Sequence, residues 1–535
     1  MALLARRALA GALLGLGCWS CSAENPESQE PGGQSGGAAT GAAATTGGLP
    51  VDAGTGGTGA GQGQGGTPTG GAVAGGTATG GAATGGVAAG GTPAGGTATG
   101  GAAIGGGAGT GGGAGIGGTG TGGGGTPTGG VATGGVATGG GATGGVATGG
   151  TGGADPIAAL EEYLQIPRAT RPALADQSFA TVPLSVEQAE RARTLLWEDH
   201  VQLIEEERRA EHDAKSITLG DATLRYDFIV FGNAPADGRS LWLSLHGGGE
   251  ADPSVNDEQW ANQLQLYQPD EGIYLCPRAP TDTWNLWHQD HIDPLFERLI
   301  ENFVALEGID PNRVYVMGYS AGGDGVYQLG PRMADHWAAA AAMAGHPNDA
   351  QPLSLRNIGF TIHVGELDTA YDRNLVAVEW QTQLEQLQAD DPEGYVHHVE
   401  VHPGMPHWMD LQDAVAVPWM AAFTRNPVPD RVVWYQDDIT HSRFYWLADP
   451  NPTRETLVVA QLVNQTVEID SADVSPVVVR LRDDMLDLDQ PVTVMLNGGA
   501  VFEGIVPRTI LTLHETLSER GDPELVFSGE VVAGQ

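Results

Sequence analysis

Cysteine is nearly missing from this chain. Among 535 residues there are three, Cys18, Cys21 and Cys276. Two of them precede any foldable sequence, so the folded part holds one thiol and cannot form an internal disulfide. A core of ordinary size must therefore carry stability. Cys276 ends the apolar run Ile273-Tyr274-Leu275-Cys276 and reads as an inert buried thiol. Positive charge is also scarce. Lys and Arg number 25 against 65 Asp and Glu, a formal charge of −40. Such a surface repels nucleic acid and anionic headgroups and favours neutral or cationic partners; its plainest consequence is solubility. Nor is there a long hydrophobic run at the start. In MALLARRALAGALLGLGCWSC, Arg6 and Arg7 precede an apolar stretch that ends near Gly17, too short for a membrane span. Residues 1–22 read as a secretory signal. Gly17-Cys18 suggests a bacterial lipoprotein site with lipidation at Cys18, although Gly15 stands where leucine is usual. The expected location is exported, either lipid-anchored at the outer envelope or extracellular. Any membrane contact is expected only through that anchor.

From about residue 31 to 154 aromatic residues and charge pattern are missing too. The stretch is Gly, Ala and Thr with occasional Val and Pro, in recurring units such as Ala-Thr-Gly-Gly-Val. Nothing there offsets the backbone entropy of folding, so residues 23–154 are expected to form a disordered tether.

Foldable sequence begins near Asp155. A helix is predicted over 186–214, with Ser185 as N-cap and Gln188 completing a capping box. Extended runs follow at 224–231, 240–245, 273–276, 313–317, 337–343, 360–364 and 397–401, with helical segments such as 294–306 between several of them. That alternation predicts an α/β fold with a mostly parallel sheet and covered faces over 155–429. After Pro427 the runs 432–435, 444–447, 457–463, 477–481, 492–496 and 500–506 are closely spaced, with Asn497-Gly498-Gly499 as a hairpin turn signal. A small all-β C-terminal domain is expected over 430–535.

Four elements carry the chemistry. Gly318-Tyr319-Ser320-Ala321-Gly322 follows the apolar run 313–317 and precedes a helical segment. Strand, G-x-S-x-G and helix together make a nucleophile elbow, which exposes a serine on a sharp turn. His246-Gly247-Gly248-Gly249 directly follows the run 241–245. Glycines at a strand end let backbone N–H groups of Gly247 and Gly248 face open space, and with the N–H of Ala321 they can hold a negative oxygen. Asp368 lies just past the strand-like 360–364, with Glu366 and Asp372 as competitors. His407 follows Gly404 and Pro406 in a loop, with His397, His398 and His402 as rivals in or beside a strand. A carboxylate that orients an imidazole, and an imidazole that takes a serine proton, complete a nucleophilic triad.

The order Ser, Asp, His is that of α/β-hydrolases. Residues 308–323, Gly-Ile-Asp-Pro-Asn-Arg-Val-Tyr-Val-Met-Gly-Tyr-Ser-Ala-Gly-Gly, resemble the nucleophile region of secreted α/β-hydrolases of the polyhydroxybutyrate-depolymerase and feruloyl-esterase type. They are also similar to the prolyl-oligopeptidase branch. Gly365-Glu366-Leu367-Asp368 and Gly404-Met405-Pro406-His407-Trp408 fit the acid and histidine blocks of the same group. The resemblance covers about residues 225–425. It implies an α/β-hydrolase fold that cleaves small or polymeric carboxylic esters through an acyl-enzyme. The disulfides of many such esterases cannot form here.

Trp284 and Trp287 follow the strand-like run that ends near Pro277, so they are expected near the carboxyl end of the sheet. They read either as aromatic walls of a substrate site or as a cover over a helix. His246, His288, His291 and His346 have no dependable ligand spacing, and H-E-x-x-H is absent. No metal or other cofactor is expected, and the sequence sets no oligomeric state. Two other functions fit parts of the pattern. One is a serine peptidase with the same triad, although 155–225 is too short for the large propeller domain of a typical prolyl-oligopeptidase. The other is a surface-displayed binding protein with an idle elbow.

Overall fold

Alternation of apolar side chains on both faces builds the central sheet. Leu241, Leu243 and Leu245 pack on one side while Trp242 packs on the other, and Val314 and Val316 oppose Tyr315 and Met317 in the same way. Strands buried on two faces need cover on both, which helices supply. The computed structural model describes residues 155–471, 474 and 476–534. The signal, Cys18 and the Gly-rich tether lie outside the described residues.

The sheet has eight strands: β1 (Ser216–Leu219), β2 (Ala222–Phe231), β3 (Arg239–Leu245), β4 (Gly272–Arg278), β5 (Ile309–Tyr319), β6 (Ala339–Met343), β7 (Gly359–Gly365) and β8 (His397–His402). Their spatial order is β1-β2-β4-β3-β5-β6-β7-β8. β1 and β2 pair antiparallel, as do β2 and β4; every other pairing is parallel. The expected mostly parallel sheet is present. Helices Pro253–Gln263, Ile292–Glu307, Ala321–Arg332 and Arg373–Asp390 lie between its strands in the chain. The predicted long helix spans Val186–Asp213, and Ser185 and Gln188 form both bonds of the capping box. Among the described residues no helix is long and apolar enough to cross a membrane.

The C-terminal stretch departs from the all-β expectation. Two further sheets are present. β9 (Arg431–Tyr435), β12 (Leu457–Val463), β13 (Thr466–Ser471), β15 (Val492–Leu496) and β16 (Gly499–Gly504) form one. β10 (Arg443–Phe444), β11 (Leu447–Ala448), β14 (Val477–Leu481) and β17 (Gly529–Ala533) form the other. A helix, Ile510–Arg520, accompanies them. Thr509 caps it by accepting from the Thr512 N–H, and Gly521 ends it in the left-handed region. Its Ile510, Leu513 and Leu517 repeat at helical spacing and join Leu160, Leu195 and Leu196 in a satellite core. Side chains of both stretches also share the main core, which contains Phe360 and Trp380 together with Trp434 and Trp446. Ion pairs Arg425–Asp522 (2.7 Å), Arg520–Asp335 (2.5 Å) and Arg443–Glu297 (2.9 Å) join them further.

Candidate active site

Ser320 is placed by a turn that only glycine-flanked backbone can make. It sits between β5 and the helix Ala321–Arg332 at φ 57°, ψ −122°. A side chain at Gly322 would put its Cβ 2.1 Å from the Leu245 carbonyl oxygen, and one at Gly318 would lie 2.3 Å from the carbonyl of Gly322. Backbone atoms cannot step aside, so the helix start packs against β3 only without those side chains. The strained serine costs on the order of 1–3 kcal/mol and is held by its N–H bond to the Met343 carbonyl (2.9 Å).

Parallel strands that end at one edge bring the other groups to it. β7 leads into Asp368 and β8 leads into His407. His407 Nε2 is 3.0 Å from Ser320 Oγ, and His407 Nδ1 is 2.7 Å from Asp368 Oδ2. An ionised carboxylate only accepts, so Nδ1 carries the proton and Nε2 turns its lone pair to the serine hydroxyl. Asp368 is 2 % exposed, and its Oδ1 faces Arg373 at 3.7 Å. The rival residues lie elsewhere. Glu366 accepts from the Gly404 N–H (2.7 Å) and so braces the histidine loop. Asp372 is exposed. His397 pairs with the Tyr395 carbonyl, His398 faces Glu400, and His402 faces His363.

Gly247 lies beside Ser320: a Cβ built on it would be 3.2 Å from Ser320 Cβ and 3.8 Å from Oγ. Gly248 has φ +109° and is exposed. Ala321 opens its helix, so its N–H has no intrahelical acceptor and lies at the positive end of the helix dipole. Of the three residues expected to hold an oxyanion, Gly247 borders Ser320 and Ala321 opens the adjoining helix, whereas Gly248 packs toward Asn256 and Gln259.

His246 pins this loop. Its Nε2 accepts from the Ala279 N–H (3.1 Å), so Nδ1 is protonated and donates to the Gly247 carbonyl (2.7 Å). Burial lowers the His246 pKa to about 4, which keeps the ring neutral. Trp287 donates its indole N–H to the His246 carbonyl at 3.0 Å. It is 0 % exposed, which corrects the reading of Trp287 as a substrate wall: it is the floor beneath the loop. Trp284, three residues earlier, is 57 % exposed. With Glu250, Asp252, Asp282 and Thr283 it lines an open cleft of about 620 Å³.

Three supporting groups escaped the sequence reading. Tyr319 Oη donates to the His407 carbonyl (2.6 Å) and accepts from the Met409 N–H (3.0 Å). Its position inside G-x-S-x-G was the only available signal. Asn256 Oδ1 accepts from the Gly249 N–H (2.9 Å), while its Nδ2 donates to Asp282 (2.8 Å), itself paired with Arg278. No local spacing announces that clamp. Asp324, one helical turn past Ser320, accepts from the His346 N–H (2.6 Å), and burial raises its pKa to about 6. A side-chain cluster of another kind, His363, Glu400 and His402, lies on β7 and β8, and it involves none of the four histidines weighed as ligands from the sequence.

Neither a protein-family model nor a curated protein matches the chain. Solved structures with partial likeness include esterase PE8, 18% identical over 37% of this chain and 98% of its own, with a TM-score of 0.26. The feruloyl esterase module from Clostridium thermocellum is 17% identical over 39% and 86%, with a TM-score of 0.29. The fluorophosphonate-binding serine hydrolase FphF of Staphylococcus aureus is 14% identical over 38% and 96%, with a TM-score of 0.28. The functional reading below rests on the site geometry.

Proposed function

We propose that the protein is a serine hydrolase of the α/β-hydrolase class that cleaves carboxylic esters through an acyl-enzyme. The observation that carries this reading is the unbroken relay from Asp368 through His407 to Ser320, at 2.7 and 3.0 Å. In the first step Ser320 Oγ attacks the ester carbonyl while His407 Nε2 takes its proton. Asp368 holds the imidazole in the required tautomer and stabilises it when charged. The carbonyl oxygen gains negative charge, which N–H groups of Ala321 and of the Gly247-Gly248 loop accept. His407 then returns the proton to the departing alkoxide. Water, deprotonated by the same imidazole, releases the acid and restores Ser320.

Trp284 beside the oxyanion loop favours substrates with an apolar or planar part. Export, with lipid attachment at Cys18 and the Gly-rich stretch as a spacer, completes the proposal; the support is the sequence pattern, and the mass of the mature N-terminal peptide tests it. For the chemistry, turnover of a short-chain p-nitrophenyl ester by wild type and Ser320→Ala is the direct test. The reading predicts a loss of at least about 10³-fold in kcat with an unchanged circular dichroism spectrum. Retained turnover in the variant refutes it. Dipeptidyl amides run beside the ester separate esterase from peptidase.

A further inference from the structure

We propose that His363, Glu400 and His402 form a binding site for one divalent transition-metal ion of the zinc type, which braces the two strands that deliver the acid and base of the candidate triad. One ligand atom from each of the three residues lies within 4.8 Å of the other two. His363 Nδ1 is 3.2 Å from His402 Nε2 and 4.0 Å from Glu400 Oε2. Tetrahedral zinc bonded at about 2.0–2.1 Å sets its ligand atoms roughly 3.3–3.4 Å apart, close to the 3.2 Å of the two imidazoles; Glu400, whose Oε1 lies 3.8 Å from the other His402 nitrogen, Nδ1, would swing toward the Nε2 side to complete the site. Two imidazoles and one carboxylate are also a donor set that zinc accepts.

Strand pairing explains why these residues meet. Side chains at alternate positions share a face of a sheet. In the parallel pair β7–β8, Thr361 is opposite His398, His363 opposite Glu400, and Gly365 opposite His402. One face at the edge of the sheet therefore carries three histidines and one glutamate over six chain positions of β8 and its neighbour. Thr361 Oγ1 lies 2.9 Å from His363 Nε2, which lets the hydroxyl accept from Nε2–H and leaves the Nδ1 lone pair facing the cluster.

A second observation points the same way. Asp413 is buried and within electrostatic range of His402, and its Oδ1 has no hydrogen-bond partner among the described residues. Its other oxygen, Oδ2, accepts from the Tyr267 hydroxyl, and a buried Oδ1 without a donor is a place for an ion or a water. The cluster reaches solvent through its carboxylate. His363 and His402 are buried, whereas the side chains of Glu400 and His398 are 43% and 45% exposed. His398 Nε2 lies 3.6 Å from Glu400 Oε2, so a third imidazole adjoins the carboxylate.

The consequence is mechanical. β7 ends at Gly365, three residues before Asp368, and β8 ends at His402, five residues before His407. A metal bridging His363 and His402 would lock the strand ends from which both loops spring. The three residues touch neither Ser320 nor a reacting atom, so they are positioning residues, and this inference does not depend on the esterase reading.

The test uses the full mature chain, stripped with a chelator and titrated calorimetrically with Zn²⁺ and separately with Co²⁺. One equivalent is expected to bind in the micromolar range or tighter, to raise the melting temperature, and to give the visible absorption bands of tetrahedral Co²⁺. Glu400→Gln, at a partly exposed position, and His363→Gln are each expected to weaken binding about 10- to 100-fold. An unchanged circular dichroism spectrum and a cooperative melt of the metal-free chain show that both variants remain folded. Should His363→Gln fail to fold, Glu400→Gln alone decides. Absence of stoichiometric binding to the wild type, or equal affinity in Glu400→Gln, overturns the proposal.

Discussion

The hydroxyl of Tyr319 donates to the carbonyl of His407 at 2.6 Å, so the residue just before Ser320 also fixes the loop that carries His407. The same oxygen accepts from the N–H of Met409. Ser320 and His407 are thereby registered through one rigid side chain, and the rings of Tyr319 and His407 meet edge to face at 5.9 Å. Burial raises the pKa of this phenol, which keeps it protonated and able to donate.

Tyr319→Phe keeps the ring and removes both hydrogen bonds. The Met409 N–H is buried and would be left without a partner, at a cost of about 1–3 kcal/mol. A displaced imidazole lowers kcat by roughly 10- to 100-fold. KM should change much less, because the cleft beside Trp284 is untouched. Steady-state kinetics check this, and an equal rise in KM with unchanged kcat contradicts it.

Asn256 holds the Gly247–Gly249 loop, the proposed oxyanion loop, through the Gly249 N–H. Asn256→Ala frees the loop and also leaves Asp282 with one partner fewer. Loss of a single oxyanion donor costs about 10²–10³ in kcat elsewhere, so a loosened loop is expected to cost about 10- to 100-fold here. Kinetics with a p-nitrophenyl ester measure it. Ser320 should still be present on a folded chain, as a melting curve would show.

Asp324 supplies a pH prediction. Its folded pKa is raised from 3.8 to about 6 by burial, with partial relief from the His346 N–H, Arg373 and His407. Between those two pH values the folded chain binds more protons than the unfolded chain. Stability attributed to this group is therefore present at low pH and declines as pH rises through about 6. At about 1.4 kcal/mol per pH unit the loss is on the order of 3 kcal/mol. Asp324→Asn keeps an acceptor for His346 and removes the charge. Denaturant melts should show the variant gaining on wild type between pH 4 and pH 8. A gap that does not change with pH contradicts the assignment.

Much of this was legible in the chain, and the reasons are local. Apolar strand runs that end at glycine or a turn residue mark β3, β5 and β7, and the chain order of Ser320, Asp368 and His407 placed three distant groups at one edge. β12, β14 and β15 were read with the bounds they have in the structure. Short or half-polar strands were not visible. β1 is four residues long with one buried side chain, and β13 alternates polar residues with three buried ones. The helix Ile510–Arg520 had its caps in the sequence, Thr509 and Gly521, yet the dense strands before it suggested an all-β module. Trp284 and Trp287 look alike in a sequence. Which of the two faces solvent is decided by the packing of Trp287 on Gly325, a contact made across 38 residues. The Asn256 clamp and the His363–His402 pair are likewise products of tertiary pairing and have no signature along the chain.

The most direct test of the central claim is the mass of the protein after reaction with a fluorophosphonate. The account predicts one adduct, located on the peptide containing Ser320, absent in Ser320→Ala and formed far more slowly in His407→Ala. An unmodified wild-type chain, or an adduct that persists in Ser320→Ala, would contradict it.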